Sequence, residues 1–352
     1  MAALLGAVFP FLCRLAVTPG RNTGRGVSLI YGANIAGSAG GSLIVGFVLM
    51  NYMGMRAITA MLGGAALILG FCLLAPPRVR LTENFRLRMV FAGSALAYIF
   101  AQSLYTHFAE RLTFGIEAGR SVTLARSVEN RGGTIAVAMN GAVFGDAVYD
   151  GFFNIDPMDD KNMIVRAYAV GAFHPSPKRM LMIGLSSGSW AQVLVNHPAC
   201  ESLEIIEINP GYLDLIRQNP VVSSLLANPK VRIVIDDGRR WLLAHPERRY
   251  DLIVQNTSLY WREPFAELLS TDYLRIIKDH LAPNGIYYYN TTQSGDVLAT
   301  GLTVFPYGLR VVNFLAVSDS PILVDSSRWA AILRSYQIDG HRFFNSAEPG
   351  GN

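Results

Sequence analysis

No acidic residue occurs before Glu83. The first 80 residues hold six arginines (Arg14, Arg21, Arg25, Arg56, Arg78 and Arg80), so they carry +6, and the rest of the chain carries −2 of the overall +4. A one-signed surplus that flanks apolar runs belongs to membrane-facing loops, so the basic balance does not argue for nucleic-acid binding. Charge is scarce everywhere: 16% of 352 residues against 51% hydrophobic, which is more apolar than an ordinary soluble protein. Cysteine is nearly absent. Cys13, Cys72 and Cys200 lie far apart, with no metal-ligand spacing and no disulfide framework, which fits a reducing compartment. Six histidines are scattered, none with Cys or Ser in a triad-like order. His174, His197 and His245 are therefore expected to be structural, and no metal is expected.

Long apolar runs take the place of charge. Ser28–Met50 and Met53–Ala75 are each long enough to cross a bilayer as a helix, with Arg56 the sole charge, near the start of the second. Met1–Val17 is a further candidate, interrupted by Pro10 and Arg14, and its continuation into more apolar sequence is not the pattern of a cleavable signal. Met89–Tyr105 is borderline in length and is read as an interfacial, re-entrant or docking helix. Gly37 and Gly41 form a GxxxG pair suited to close helix contact in lipid. Arginines precede the apolar hairpin (Arg14, Arg21, Arg25) and follow it (Arg78, Arg80, Arg86, Arg88), which puts both ends on the cytoplasmic side. Residues 1–108 are thus assigned to a multi-pass region of the inner (cytoplasmic) membrane, of about three transmembrane helices plus the borderline fourth. The remaining domain is assigned to the cytoplasm.

Patterning changes from Ser121. Short β-like runs alternate with Arg131-Gly-Gly133, Asn140-Gly141 and Asp150-Gly151, turn signals that predict a small antiparallel β-domain over 121–157. Lys161–Phe173 reads as a helix stopped by Pro175 and Pro177. Over 158–335 apolar runs and helical stretches alternate: Met180–Ile183, Trp190–Val195, Leu203–Ile206, Tyr212–Gln218, Val231–Ile235, Arg239–Ala244, Leu252–Val254, Thr271–His280 and Gly285–Tyr289. This order predicts an α/β domain with a doubly wound, mostly parallel Rossmann-like sheet and ligands at the strands' carboxyl ends. Residues 336–352 are read as a tail, disordered over Ser346–Asn352.

Chemistry-bearing residues fall at those strand ends. Gly184-Leu-Ser-Ser-Gly188 forms a tight turn after the first strand, where glycines allow close backbone approach to a ligand. Glu207 ends the second strand about twenty residues on, suited to both hydroxyls of a ribose. Asp236 and Asp237 end the third and can hold an adenine amino group. Asn256 ends the fourth. Together they predict one crevice for an adenosine-type ligand, held by Gly184, Ser186, Ser187, Gly188, Glu207, Asp236 and Asp237. Read singly, Glu207 and Asp237 are merely solvated strand-end acids. Tyr260 and Trp261 offer aromatic faces for a cationic or flat substrate beside it; their bland reading is that they cap the sheet. Arg262 and Glu263 follow, for an anionic or an amine group respectively. Asp146, Asp150, Asp156, Asp159 and Asp160 form an acidic patch that reads as a solvated loop face. Asn256-Thr-Ser and Asn290-Thr-Thr match the glycosylation pattern but fall on strand ends of a domain assigned to the cytoplasm, so they are discounted.

These residues carry a resemblance over about 121–325. His174-Pro-Ser-Pro-Lys-Arg-Met-Leu-Met-Ile-Gly184, His197-Pro198, Glu207-Ile-Asn209, Asn228-Pro-Lys-Val231, Asp237-Gly238, Tyr250-Asp251, Leu269-Ser-Thr-Asp-Tyr273 and Leu281-Ala-Pro-Asn-Gly285 resemble the spermidine synthase (polyamine aminopropyltransferase) family, within the S-adenosylmethionine-dependent methyltransferase fold. The apolar first part resembles the transporter-like membrane region fused to some bacterial homologues. The resemblance implies S-adenosylmethionine or its decarboxylated form as a substrate, a small-molecule amine acceptor, lipid as the other partner, no nucleic acid, and room for a homodimer.

Three departures bear on activity. Ser187 stands where the family carries an acid that meets the amino group of the propylamine tail. Asn256-Thr257-Ser258-Leu259 stands for Asp-Ser-Ser-Asp, whose first acid helps to deprotonate the attacking amine. Asn162-Met163 stands for a tyrosine–histidine pair. Asn256 cannot take a proton, although its amide can donate and accept hydrogen bonds. Standard putrescine aminopropylation is therefore not expected. The favoured expectation is a membrane-anchored transferase that moves an aminopropyl or methyl group, with Asn256, Tyr260 and Glu263 facing the acceptor. The alternative is a catalytically inactive nucleotide-sensing or scaffold domain on a transporter-like module.

Overall fold

In the computed structural model, the described residues are 22–74, 123–256 and 265–344, with isolated ones among 9–20 and 92–111. The chain divides into two compact units: residues 1–106 with 129–131, and residues 107–128 with 132–352.

The first unit contains α1 (Thr23–Phe47) and α2 (Met55–Leu74). Leu29, Tyr31, Ile35, Leu43, Ile44 and Phe47 of α1 are all exposed. A helix whose one charge, Arg25, lies in its first turn and whose large apolar side chains are exposed has the surface of a lipid-facing segment. Among the described residues one helical stretch, Thr23–Asn51, is long and apolar enough to cross a bilayer, and the apolar stretch Met55–Ile68 is shorter. A Cβ added at Gly37 or Gly41 meets no atom within 4 Å, so the close helix contact expected there is not formed among the described residues. Of the expected segments, Met1–Val17 falls largely and Met89–Tyr105 about half outside the described residues.

In the second unit, apart from the last two residues of β1, β1 (Leu124–Asn130), β2 (Gly133–Ala138), β3 (Ala142–Gly145) and β4 (Val148–Phe152) form a sheet in sequential order, with β2–β3 and β3–β4 antiparallel. Asn140-Gly141 makes the β2–β3 turn, with Gly141 at φ +92°. The β3–β4 turn is Asp146-Ala147, both with positive φ, and Asp150-Gly151 lies inside β4 instead of forming the expected turn. Gly151 has another reason to be glycine: a Cβ there would stand 2.7 Å from Ser186 Oγ. The expected helix over Lys161–Phe173 is broken into a 3-10 turn and two short helical pieces; positive φ at Asn162 and Met163 separates the turn from the rest.

Next come β5 (Arg179–Ile183), α3 (Ser189–Val195), β6 (Ser202–Glu207), α4 (Gly211–Arg217), β7 (Val231–Ile235), α5 (Gly238–Ala244), β8 (Tyr250–Gln255), α6 (Thr271–Asp279), β9 (Leu281–Asn290), α7 (Gly295–Val304), β10 (Tyr307–Val311), β11 (Phe314–Ser318) and α8 (Ser326–Ser335). The strand order is β10-β11-β9-β8-β5-β6-β7, parallel from β9 to β7 and antiparallel at β10 and β11. The α/β reading holds, with a mixed sheet: the β10–β11 hairpin adds two antiparallel strands.

Alternation along the strands feeds a core on each face. Met180, Met182, Leu203, Ile205, Leu252, Val254 and Tyr288 pack with Trp190, Leu194 and Tyr168 on one side. Leu181, Ile183, Ile206, Ile253, Tyr287 and Tyr289 pack with Trp241, Tyr273 and Ile277 on the other. The packed chain runs past residue 335: Tyr336 is buried, and its hydroxyl donates to the Val193 carbonyl at 3.0 Å.

Candidate functional site

Strand order brings four chain segments to one edge. β8, β5, β6 and β7 are neighbours, and their registers align Gln255 with Ile183, Ile183 with Ile206, and Glu207 with Ile235. Asn256, the Gly184–Gly188 turn, Glu207 and Asp236 therefore stand side by side at the carboxyl ends, across roughly 15 Å at the usual strand spacing. The chain leaves β5 toward β6 on one side and returns to β8 on the other. This strand-order reversal is where open α/β sheets bind ligands.

The turn is shaped by backbone demands. Gly184 has φ +86°, Ser186 +48° and Gly188 +76°. A Cβ on Gly188 would meet Ile216 Cδ1 at 2.9 Å, whereas one on Gly184 would meet nothing within 4 Å, so open space lies above the turn at Gly184. Beside it Glu207 is buried, 4% exposed. Its Oε2 accepts from the Leu185 N–H and its Oε1 from the Asn209 N–H, both at 2.7 Å. Burial pushes its carboxyl up to about 7, against the lowering effect of the Asn209 and Leu185 amides. The Ser186 amide acts on it in the same sense, and of a carboxylate's roughly four lone-pair sites at least one is left for a hydroxyl. A buried carboxylate beside open space suits the ribose of an adenosine-type ligand.

Ser187 is 5% exposed, and its hydroxyl donates to the Phe152 carbonyl of β4 at 2.9 Å. Ser189 Oγ donates to the same carbonyl at 2.8 Å, and Ser186 Oγ to the Asp150 carbonyl at 2.9 Å. The serines of this turn thus bind it to the edge of the small sheet. Tyr212 of α4 adds a 2.6 Å bond to Asp150 Oδ2. Burial raises the Tyr212 phenol, which keeps it a donor.

Asn256 ends β8 in a chain of amides. Its Oδ1 accepts from Asn290 Nδ2 at 2.9 Å; Asn290 Oδ1 accepts from Asn313 Nδ2 at 2.9 Å; Asn313 Oδ1 accepts from Arg166 Nη1 at 2.5 Å. Arg166 is 4% exposed, with its guanidinium 5.0 Å from the Phe314 ring centroid and 5.7 Å from that of Trp190. Its other bonds go to the backbone carbonyls of Met163 and Asn162, at 2.9 and 2.6 Å. Burial lowers its pKa from the usual arginine value, yet arginine stays charged.

At the end of β7, Asp237 Oδ1 caps α5 by accepting from the Arg240 N–H at 2.8 Å. Asp236 Oδ1 accepts from Arg240 Nε at 2.6 Å and from the Asp237 N–H at 2.7 Å. Tyr260 and Glu263, with Trp261 and Arg262, lie outside the described residues. Within the acidic patch Asp156 and Asp160 accept backbone N–H bonds, Asp146 accepts from the Thr134 N–H, and Asp159 pairs with Lys161. His174 is buried with ring nitrogens on the Asp251 carbonyl and the Ser176 N–H, and burial lowers it. His197 is lowered to about 4 by burial.

Sequence reasoning missed Arg166, and Asn313 with its hairpin; Asn290 entered it only through a glycosylation-like triplet. A lone arginine in a helical stretch otherwise rich in apolar residues was the one available signal.

The profile of the spermine/spermidine synthase domain matches residues 161–301. The polyamine aminopropyltransferase 2 of Streptomyces coelicolor is 26% identical over 304 residues, 81% of this chain and 52% of that protein. The spermidine synthase of Dictyostelium discoideum is 32% identical over 117 residues, 32% of this chain and 39% of that protein. The chain thus spans about half the length, or less, of the curated relatives it matches. Among solved structures, the spermidine synthase of Thermotoga maritima aligns with a TM-score of 0.47 at 16% identity, covering 61% of this chain and 76% of that one.

Proposed function

We propose that this chain, whose residues 161–301 carry a spermine/spermidine synthase domain, is a membrane-anchored transferase that binds S-adenosylmethionine or its decarboxylated form. The observation that carries this reading is the buried Glu207 carboxylate beside the open space at Gly184, at the strand-order reversal. In this scheme the Gly184–Gly188 turn, with Ser186 and Ser187, shapes the floor under the ligand. Glu207 takes the ribose hydroxyls, and Asp237, with Asp236 beside it, takes the adenine. Asn256, followed in sequence by Tyr260 and Glu263, faces the acceptor.

When bound, the sulfonium compound supplies an electrophilic carbon, either its methyl or the first carbon of its aminopropyl arm. Direct displacement there depends mainly on alignment of nucleophile and leaving group. The chain's part is orientation and exclusion of water, so lack of an acid at 256 slows catalysis without abolishing it. The acceptor in this reading is a small amine-bearing molecule, and the second partner is lipid. Thr23–Asn51 provides the anchor; the multi-pass arrangement and the cytoplasmic placement of the α/β domain extend the reading, as does a homodimer.

One observation favours a second reading. Ser187 donates to a backbone carbonyl and Asn256 is engaged by Asn290, so neither position offers an acid. A nucleotide-sensing or scaffold domain without turnover accords with that. Calorimetric titration of the full chain in detergent with S-adenosylmethionine, its decarboxylated form and methylthioadenosine tests both readings. Binding of at least one is expected; binding of none sinks the adenosyl site, and binding without turnover on a panel of amines selects the sensor.

A further inference from the structure

The direction of a hydrogen-bonded amide chain is fixed wherever one member meets a partner that acts in one sense only. A guanidinium and a backbone N–H can only donate. Arg166 Nη1 lies 2.5 Å from the Asn313 side chain, so the atom facing it is the amide oxygen. Asn313 therefore turns its NH2 to Asn290, whose oxygen accepts at 2.9 Å. The Thr292 N–H donates to that same oxygen at 2.8 Å, which fixes Asn290 independently. Asn290 in turn gives its NH2 to Asn256 Oδ1 at 2.9 Å. Two separate anchors thus impose one polarity on all three amides. Among the described residues, no acceptor takes the NH2 of Asn256, which is only partly buried.

We infer that Asn256 presents an N–H donor to the ligand, so that the ligand group it meets is an oxygen acceptor, a carboxylate or carbonyl, and not an ammonium or amine. This rests on the adenosyl site proposed above. An aspartate at the same strand end can only accept when ionised; the Arg166-anchored chain reverses that sense. The group it meets is not the attacking nitrogen either, because an N–H donated to that lone pair withdraws it from reaction. Ser187 agrees in kind: its hydroxyl is spent on Phe152, and no acid at the turn is available to an ammonium. In the strand order, Asn256 and Glu207 lie on opposite sides of the Gly184–Gly188 turn, so Asn256 serves the end of the ligand away from the ribose. The oxygen belongs either to the carboxylate of the cofactor's methionine tail or to an acceptor that carries a carboxylate as well as an amine.

Two arms of one titration on the full chain separate these sources. The first compares S-adenosylmethionine with its decarboxylated form. The second compares 4-aminobutanoate with putrescine at saturating methylthioadenosine. In at least one arm the carboxylate-bearing compound is expected to bind tighter on the order of tenfold to a hundredfold, the usual gain from a hydrogen bond to a charged group. A preference in the first arm assigns the oxygen to the cofactor, and in the second to the acceptor. Asn256→Asp keeps the acceptor for Asn290 Nδ2 and replaces the free NH2 by an oxygen, so it is expected to fold normally and reverse the preference. Arg166→Met frees the chain's anchor and is expected to weaken it. No carboxylate preference in either arm, or one that Asn256→Asp leaves intact, overturns the inference. Failure of methylthioadenosine itself to bind overturns the adenosyl site and this inference with it.

Discussion

The Ser187 hydroxyl and the Phe152 carbonyl lie 2.9 Å apart, joining the cofactor-type turn to the last strand of the small sheet. An ionised carboxylate cannot donate to that carbonyl. Ser187→Asp, which restores the acid of the resembling family, therefore sets two oxygens against each other in a buried place. We expect a loss of about 1–3 kcal/mol, read as a lower midpoint in denaturant melts, with no gain in putrescine binding. Unchanged stability together with new putrescine affinity would show that the turn is free to reshape.

Glu207 makes the site pH-sensitive. Its folded pKa of about 7 lies above the ordinary carboxyl value of 4.5, so between the two the folded state holds a proton that the unfolded chain has released. This contribution to stability is full below about 4.5 and is lost as pH rises through about 7. Ligand affinity runs the other way, because ribose hydroxyls donate best to the ionised form. Melting midpoints of the ligand-free chain should therefore fall over that window, while methylthioadenosine affinity rises. Glu207→Gln should flatten both curves; a variant that keeps the native slopes assigns them to another group.

Gly184 and Gly188 separate strain from space. Both have positive φ, which costs an alanine about 1–2 kcal/mol. At Gly188 the new Cβ also meets Ile216 at 2.9 Å, whereas at Gly184 it meets nothing. Gly188→Ala should be the less stable of the two by chemical denaturation, and Gly184→Ala should lose more methylthioadenosine affinity. Equal binding by both variants would place the ligand elsewhere.

Tyr212→Phe removes the 2.6 Å bond to Asp150. A hydrogen bond to a charged partner is worth about 1.5–3 kcal/mol, and the loss should be shared: in a double-mutant cycle, Asp150→Asn should show coupling with Tyr212→Phe. Strict additivity would mean that the bond contributes nothing to holding the small sheet.

The strands β5 to β9 were legible because each is an apolar run closed by a turn residue, and Gly184, Glu207, Asp236 and Asn256 fell where such runs end. The β10–β11 hairpin was not legible: its turn is Val312-Asn313, with valine at positive φ, and no glycine marks it. Asn313 went unseen with it. Asp150-Gly151 looked like a turn because glycine marks turns; here it marks the close approach of Ser186. The role of Asn290 depends on partners far along the chain, which no local pattern contains. Arg166 is unusual in sequence for the same reason it is informative in space, since its acceptors are neutral carbonyls and one amide.

The amide chain that ends at Asn256 draws on β8, β9, the β10–β11 turn and the segment before β5, while the turn at Ser187 is held by β4. Contacts so distant in sequence form late and slowly in folding. The Arg166–Asn313 bond spans 147 residues and the Asn290–Asn313 bond 23, so the Arg166 anchor engages only once the hairpin has closed against the segment before β5. A truncation before the hairpin would remove Asn313 and the Arg166 anchor with it, and leave the Thr292 N–H on Asn290 Oδ1 as the remaining guide to the Asn256 amide.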